Sequence, residues 1–209
     1  MENAKSFMQS TDLASRGLFE LLDKYHTHKV EAFVDIFNSK DANALATHRQ
    51  HYTSVDIARE VISGSILQIA YAAINDYSKP SEKSEGAIYF ESEINRLIGE
   101  ASNPRIKKFN LPNKFCVGRE LGDLPIGMVI YAARNQYNHA SETRLKVENE
   151  IVFNYLHSAN PSPPNGLSFN LYDENNYYSY SCLVALEWNG TDGHEKYKAD
   201  MSSILDIEL

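Results

Sequence analysis

Cysteine is nearly absent: Cys116 and Cys182 are the only two in 209 residues, too few for a disulfide framework. Glycine-rich phosphate loops are missing too. The Gly118 to Gly127 region has neither P-loop nor dinucleotide spacing, and there is no Gly-x-Ser-x-Gly elbow. No apolar run approaches the ~20 residues of a membrane span; the longest, Ile66 to Ile74, is interrupted by Gln68. The opening MENAKSFMQS lacks the charged-then-apolar order of a leader. These absences lead us to expect a cytoplasmic protein with no membrane contact, in which the Asn189-Gly190-Thr191 sequon is idle. Positive charge is in deficit, 20 Lys+Arg against 28 Asp+Glu, which argues against a general polyanion binder.

The imbalance is local. Residues 1–147 hold 18 basic and 18 acidic side chains, whereas residues 148–209 hold 2 and 10, so the C-terminal stretch carries the whole net charge of −8. One basic cluster stands out: Arg105, Lys107, Lys108, Lys114 and Arg119 fall within 103–119 with no acid among them. It reads either as a phosphate-guiding, substrate-binding loop or as an ordinary solvated connection.

Periodicity points to helices. One is expected over 11–26, with Leu13, Leu18, Leu21 and Leu22 inside, and a short one over 28–38. A long helical stretch over 41–78, with a break near Thr53, buries Val55, Ile62, Ile66, Ile69 and Ala73. The polar segment 78–86, with Pro80 and Gly86, reads as a loop. Helices follow at 88–100, 124–139, 142–158 (Leu145, Ile151, Val152 and Leu156 inside) and 194–205. Residues 103–123 look irregular, and 160–166 (NPSPPNG) is a breaker. Residues 176–189 favour helix over strand. The expected fold class is all-α: a helical bundle of four or five main helices with irregular loops and a short C-terminal appendage.

The densest chemistry is Arg134-Asn135-Gln136-Tyr137-Asn138-His139: a fixed cation, amides and an imidazole within about one and a half helical turns. Guanidinium matches phosphate oxygens bidentately, and imidazole exchanges a proton near neutral pH. A loose Arg-to-His spacing is expected by chance about 0.8 times, but Arg-Asn-x-x-x-His only roughly 0.02 times. Asp123 is the expected N-cap of its helix, with Pro125 in the first turn. Ile126, Val129, Ile130, Ala133 and Tyr137 form the apolar face. Asn135 and His139 are i,i+4 neighbours, so the amide is expected to orient the imidazole. Arg134 and His139 lie about 140° apart around the axis, which suits a site shared between two chains. The plainer reading of His139 is a helix-terminal histidine bonded to a backbone carbonyl.

The run IYAARNQYNHA, Ile130 to Ala140, resembles the HEPN superfamily (higher eukaryotes and prokaryotes nucleotide-binding domain). Its hallmark is Arg, a polar residue that is often Asn, three to five more, then His, in a helix entered from an apolar run. The close resemblance covers about 15 residues; the length of 209 suits a single HEPN-like helical domain over 1–209, either alone or with 160–209 as a C-terminal extension. The resemblance implies a metal-independent ribonuclease without cofactor, with Arg134 and His139 as the catalytic pair and Asn135 in support. It further implies RNA as substrate and a homodimer whose two motifs face each other across a cleft. A role in defence or toxin-like growth control, under an antitoxin or regulatory protein, follows from the same resemblance. In the toxins paired with nucleotidyltransferase antitoxins a Tyr stands two residues after the His; here it is Ser141.

Chemistry supports that expectation independently. RNA cleaves itself when a 2′-OH attacks the adjacent phosphorus, given a base, an acid and a cation for the phosphorane charge. A two-fold axis would supply two imidazoles and two guanidinia, and the products would be a 2′,3′-cyclic phosphate and a 5′-OH. The competing reading is a non-catalytic helical domain that binds nucleic acid or protein. The pairs His26/His28 and His48/His51 lack a Cys cluster, and no metal site is expected of them. Tyr172, Tyr177, Tyr178, Tyr180 and Trp188 either stack on unpaired bases or belong to the core.

Overall fold

The computed structural model describes residues 2–79, 82–100, 108–139, 145–159 and 177–208. Within them the protein is all-α, with seven helices and almost no strand. Helix α1 (Glu2–Asn38) and helix α2 (Ala42–Tyr77) are joined by a three-residue turn. So short a link makes them antiparallel neighbours, and Asp41 caps α2 by accepting from the Ala44 N–H at 2.8 Å.

Both expected breaks in this hairpin are absent. Neither His26-Thr27-His28 nor the region of Thr53 contains Gly or Pro, and the Thr27 and Thr53 hydroxyls donate back to the Asp23 and Arg49 carbonyls, at 3.3 and 3.1 Å. Helix α1 buries Ala4, Met8, Ser15, Phe19, Leu22 and Ala32, a spacing close to the heptad of two wrapped helices. Leu22 is therefore inside, while Leu13 and Leu21 are exposed and Leu18 is half-buried. Helix α2 is the central element, packed against α1 and three later helices. It buries Val55, Ile62, Ile66, Leu67, Ala70, Ala73 and Ile74, with Ile69 only half-buried. By length and composition α2 could cross a membrane, but half of its apolar window is buried inside the protein.

Helix α3 (Glu85–Glu100) begins a turn earlier than expected, because the Ser84 hydroxyl accepts from the Ala87 N–H at 3.2 Å. Residues 108–125 hold a 3-10 turn (Asn113–Phe115) and a minimal hairpin of β1 (Glu120–Leu121) and β2 (Leu124–Pro125). Leu121 faces Leu124 across the hairpin, and Gly122 turns it at φ +63°. Asp123 thus sits in the turn and does not cap helix α4 (Ile126–Asn138). The first N–H groups of α4 donate instead to loop carbonyls, Ile126 to Arg119 at 3.0 Å and Gly127 to Val117 at 3.1 Å.

Helix α5 (Val147–Ala159) packs on α3 and α4; Ile151, Val152 and Leu156 are buried. Helix α6 (Tyr178–Ala185) settles the ambiguous aromatic stretch as helix. Its N-terminus is capped from another element: the Glu60 carboxylate of α2 accepts the Ser179 and Tyr180 N–H groups at 2.9 and 3.0 Å. Helix α7 (Gly193–Leu205) closes against α1 and α2. Cys182, Leu183, Leu186, Trp188, Tyr197 and Met201 are wholly buried in the same cluster as α2 and α4. Residues 177–208 are therefore part of the core rather than an appendage to it.

Candidate functional site

Helix α4 lies antiparallel on α2: Tyr137 covers Gly64, while Tyr131, nearly two turns earlier, lies beside Tyr71. The close approach requires glycine. A Cβ at position 64 would stand 2.2 Å from the Tyr137 ring. This contact sets the end of α4, and with it Arg134, Asn138 and His139, over a polar patch of α2.

Arg134 is held there by neutral groups. Its Nε donates to Gln68 Oε1 at 3.2 Å, and an Nη donates to Asn135 Oδ1 at 3.4 Å. The guanidinium carbon lies 4.3 Å from the centre of the Tyr71 ring, a cation–π contact, and Tyr71 is itself stacked on Phe115. Asn138 bonds Gln68 and, with its amide oxygen turned to Arg134, lies 3.0 to 3.1 Å from all three guanidinium nitrogens. Asn135 serves Arg134 and Tyr131, so its role is to brace the guanidinium, not to orient the imidazole. Burial pushes the Tyr131 phenol up, and the hydrogen bond with Asn135 opposes this.

His139 ends the helix. Its N–H donates to the Gln136 carbonyl at 3.0 Å, and its half-buried ring turns toward the start of α5. There Nε2 lies 2.9 Å from the Lys146 ammonium. Among the described residues no hydrogen bond joins Arg134 to His139: the guanidinium faces α2, the imidazole α5. Behind them, buried Gln136 accepts from Asn149 at 3.4 Å and ties α4 to α5.

Of the basic cluster, the described Lys114 and Arg119 bond different elements. Arg105 and Lys107 lie outside the described residues. Lys108 is exposed. The Lys114 ammonium donates to the Asn75 carbonyl at 2.6 Å, closing the end of α2. Arg119 grips Asp200 with two nitrogens, at 2.9 and 3.2 Å, and the Leu186 carbonyl at 2.6 Å. Asp200 also accepts from the Trp188 indole at 2.7 Å. Lys114 and Arg119 thus each make contacts that tie elements of the fold together. Three of the candidate stacking aromatics pack against other side chains of the protein. Trp188 packs edge-on against Tyr197, Tyr178 stacks on Phe153, and Tyr180 lies beneath Arg59; Tyr172 lies outside the described residues.

Four residues of the patch were not singled out from sequence: Gln68, Tyr71, Asn138 and Lys146. Gln68 had left a signal, as the one polar interruption of the apolar run in α2. Lys146 had left none, since its partner is seven positions away in the chain.

A second polar cluster lies at the α1–α7 contact. His194 Nε2 is 3.3 Å from Ser15 Oγ, with Asp12 and Glu195 carboxylates at 3.7 Å. Burial lowers the His194 pKa, and the two carboxylates oppose this. The composition is that of a Ser-His-acid set. However, Ser15 sits mid-helix and donates to the Asp12 carbonyl at 3.0 Å, and the surrounding N–H groups are spent in the helix, which leaves no oxyanion donors. It is a tether between helices.

Fold and site together define an all-α protein with a neutral-braced arginine and a lysine-bonded histidine at one helix end. In comparisons with known proteins, no family model, curated protein or solved structure matches this chain.

Proposed function

We propose that this protein is a metal-independent endoribonuclease of HEPN type, cleaving RNA at a site built around Arg134 and His139 and shared across a homodimer. One observation carries the reading: among the described residues, Arg134 near the end of α4 and Lys146 just before α5 are bonded only to neutral groups, in a chain with a net charge of −8. Elsewhere Lys29 and Arg59 are matched with Asp56, Lys83 with Glu91, and the more exposed Lys196 with Glu187 and Asp192, while Lys114 meets the Asn75 carbonyl. Arg134 has Gln68, Asn135, Asn138 and the Tyr71 face; Lys146 has the His139 ring. Positive charge left without a carboxylate suits an incoming anion.

In the proposed reaction the 2′-OH gives its proton to the His139 imidazole as its oxygen bonds the adjacent phosphorus. The P–O5′ bond then breaks. The departing O5′ takes a proton from the imidazolium of a second copy's His139, and Arg134 stabilises the equatorial oxygens. Cytoplasmic action under an antitoxin or regulatory protein completes the proposal.

The test is cleavage of single-stranded RNA with chelator present. Parent protein is expected to yield 2′,3′-cyclic phosphate and 5′-OH ends. Arg134→Ala and His139→Ala should each lose at least about 100-fold in rate, the usual scale of an acid–base or electrostatic group, with unchanged helical circular dichroism. Activity surviving in either variant, or dependence on a divalent ion, would contradict the mechanism. A second reading, a non-catalytic helical domain that binds nucleic acid or protein, is favoured by the absence of any bond between Arg134 and His139. It predicts RNA or protein binding with no cleavage at any dimer concentration.

A further inference from the structure

The pairing of Lys146 with His139 has no structural necessity. Lys146 is the residue immediately before α5, where its carbonyl accepts the Glu150 N–H at 3.0 Å. That backbone role asks nothing of the side chain. The ammonium nevertheless reaches the imidazole, at 2.9 Å from Nε2. An ammonium has only protons to give. Nε2 is therefore the acceptor, the ring proton sits on Nδ1, and the lone pair a general base needs is occupied by a cation.

We propose that Lys146 is a phosphate-binding residue of this site and that the anion itself releases it from His139. The inference rests on the reading under Proposed function and extends it. A phosphate oxygen is a stronger acceptor for an ammonium than a neutral imidazole nitrogen, because its hydrogen bond is charge-assisted on both sides. When a phosphodiester enters beside Arg134, Lys146 exchanges its bond to Nε2 for one to a non-bridging oxygen. The exchange does two things at once. It adds a second cation to the phosphate, and it frees Nε2 beside the 2′-OH of the same nucleotide. Without a phosphate the base stays masked, so the site is competent only when loaded.

The surroundings allow this movement. Lys146 is half-buried, and among the described residues no carboxylate bonds it. The acid nearest in sequence, Glu148, acts electrostatically on Tyr131. Arg134 is different. With Gln68, Asn138 and the Tyr71 ring around it, it is fixed before ligand arrives. One cation is thus preorganised and the other mobile.

The test uses full-length protein and an oligoribonucleotide methylated at every 2′-OH, which binds but cannot react. Affinity is measured over a range of salt, for the parent and for Lys146→Met, Lys146→Arg and Arg134→Ala. Lys146→Met is expected to bind about 10-fold more weakly and to lose about 0.7 from the slope of log K against log salt, the value of one single-strand phosphate contact. Lys146→Arg should restore the slope. Long-range proton–nitrogen spectra of the imidazole give a second readout. Parent Nε2 should shift when oligonucleotide is added, while in Lys146→Met it should start from an unbonded position. If Lys146→Met keeps the parent slope while Arg134→Ala loses it, Lys146 lies outside the phosphate site and the ribonuclease reading stands without it. If the parent shows no salt-dependent binding at all, both fall.

Discussion

Gly64→Ala is the sharpest probe of how the fold positions the site. The new methyl carbon would lie 2.2 Å from two atoms of the Tyr137 ring and 2.6 Å from Cγ at its root. Ordinary contact begins more than 1 Å further out, and the crowding of Cγ means that a turn of the ring does not relieve it. Helix α4 cannot withdraw, since Ile130 and Ala133 are buried. Overpacking of this kind costs about 1–3 kcal/mol, while exchanging Gly for Ala inside a helix returns about 1 kcal/mol. The net is a loss of roughly 0–2 kcal/mol, or up to about 8 °C in Tm for a chain of this size. A double-mutant cycle isolates the contact. In a Tyr137→Ala background the clash is gone, and Gly64→Ala should stabilise by about 1 kcal/mol. Denaturant unfolding of the four proteins gives the coupling. Equal stabilisation in both backgrounds would show that α4 does not rest on Gly64 as described. On the proposed ribonuclease reading, cleavage should also fall with the Gly64→Ala single variant, because the displaced ring is one residue from Asn138 and three from Arg134.

Arg119→Ala should destabilise by about 1–3 kcal/mol, since it leaves the Leu186 carbonyl without this donor and Asp200 with only the Trp188 indole, yet leave RNA affinity unchanged; a loss of affinity without loss of stability would place Arg119 in the substrate path. Burial raises the Glu60 pKa above its ordinary 4.5, with the hydrogen bonds from α6 opposing the rise. The folded state therefore holds the proton longer than the unfolded one, and stability should fall as pH rises from 4.5 to the raised value, then level off. In Glu60→Gln this segment of the stability–pH profile should be flat, and a parent profile that climbs over the same interval would refute the assignment.

Much of the helical pattern was legible because periodic burial follows directly from residue order: Val55, Ile62, Ile66 and Ala73 on α2, and Ile126, Val129, Ile130 and Ala133 on α4, are all inside. Element ends were less legible. Continuity through Thr27 and Thr53 depends on hydroxyl-to-carbonyl bonds that leave no mark on apolar spacing. The start of α4 depends on carbonyls from a β-turn region brought under it, so the local cap signal at Asp123 was misleading. Even the cap of α6 comes from Glu60, 119 residues away.

Residue order alone determined that this chain is helical, that it is acidic, and that a guanidinium and an imidazole fall within one helix end, because these depend on neighbours along the backbone. Tertiary structure decided what each charge is for. Arg119 and Arg134 are the same residue type 15 positions apart, but one meets the Asp200 carboxylate, while the other meets Gln68 and the Tyr71 ring, with no carboxylate bonded to it among the described residues. An arginine's availability depends on the dielectric and the counter-charge around it, and those are set by side chains that only folding brings within a few ångströms.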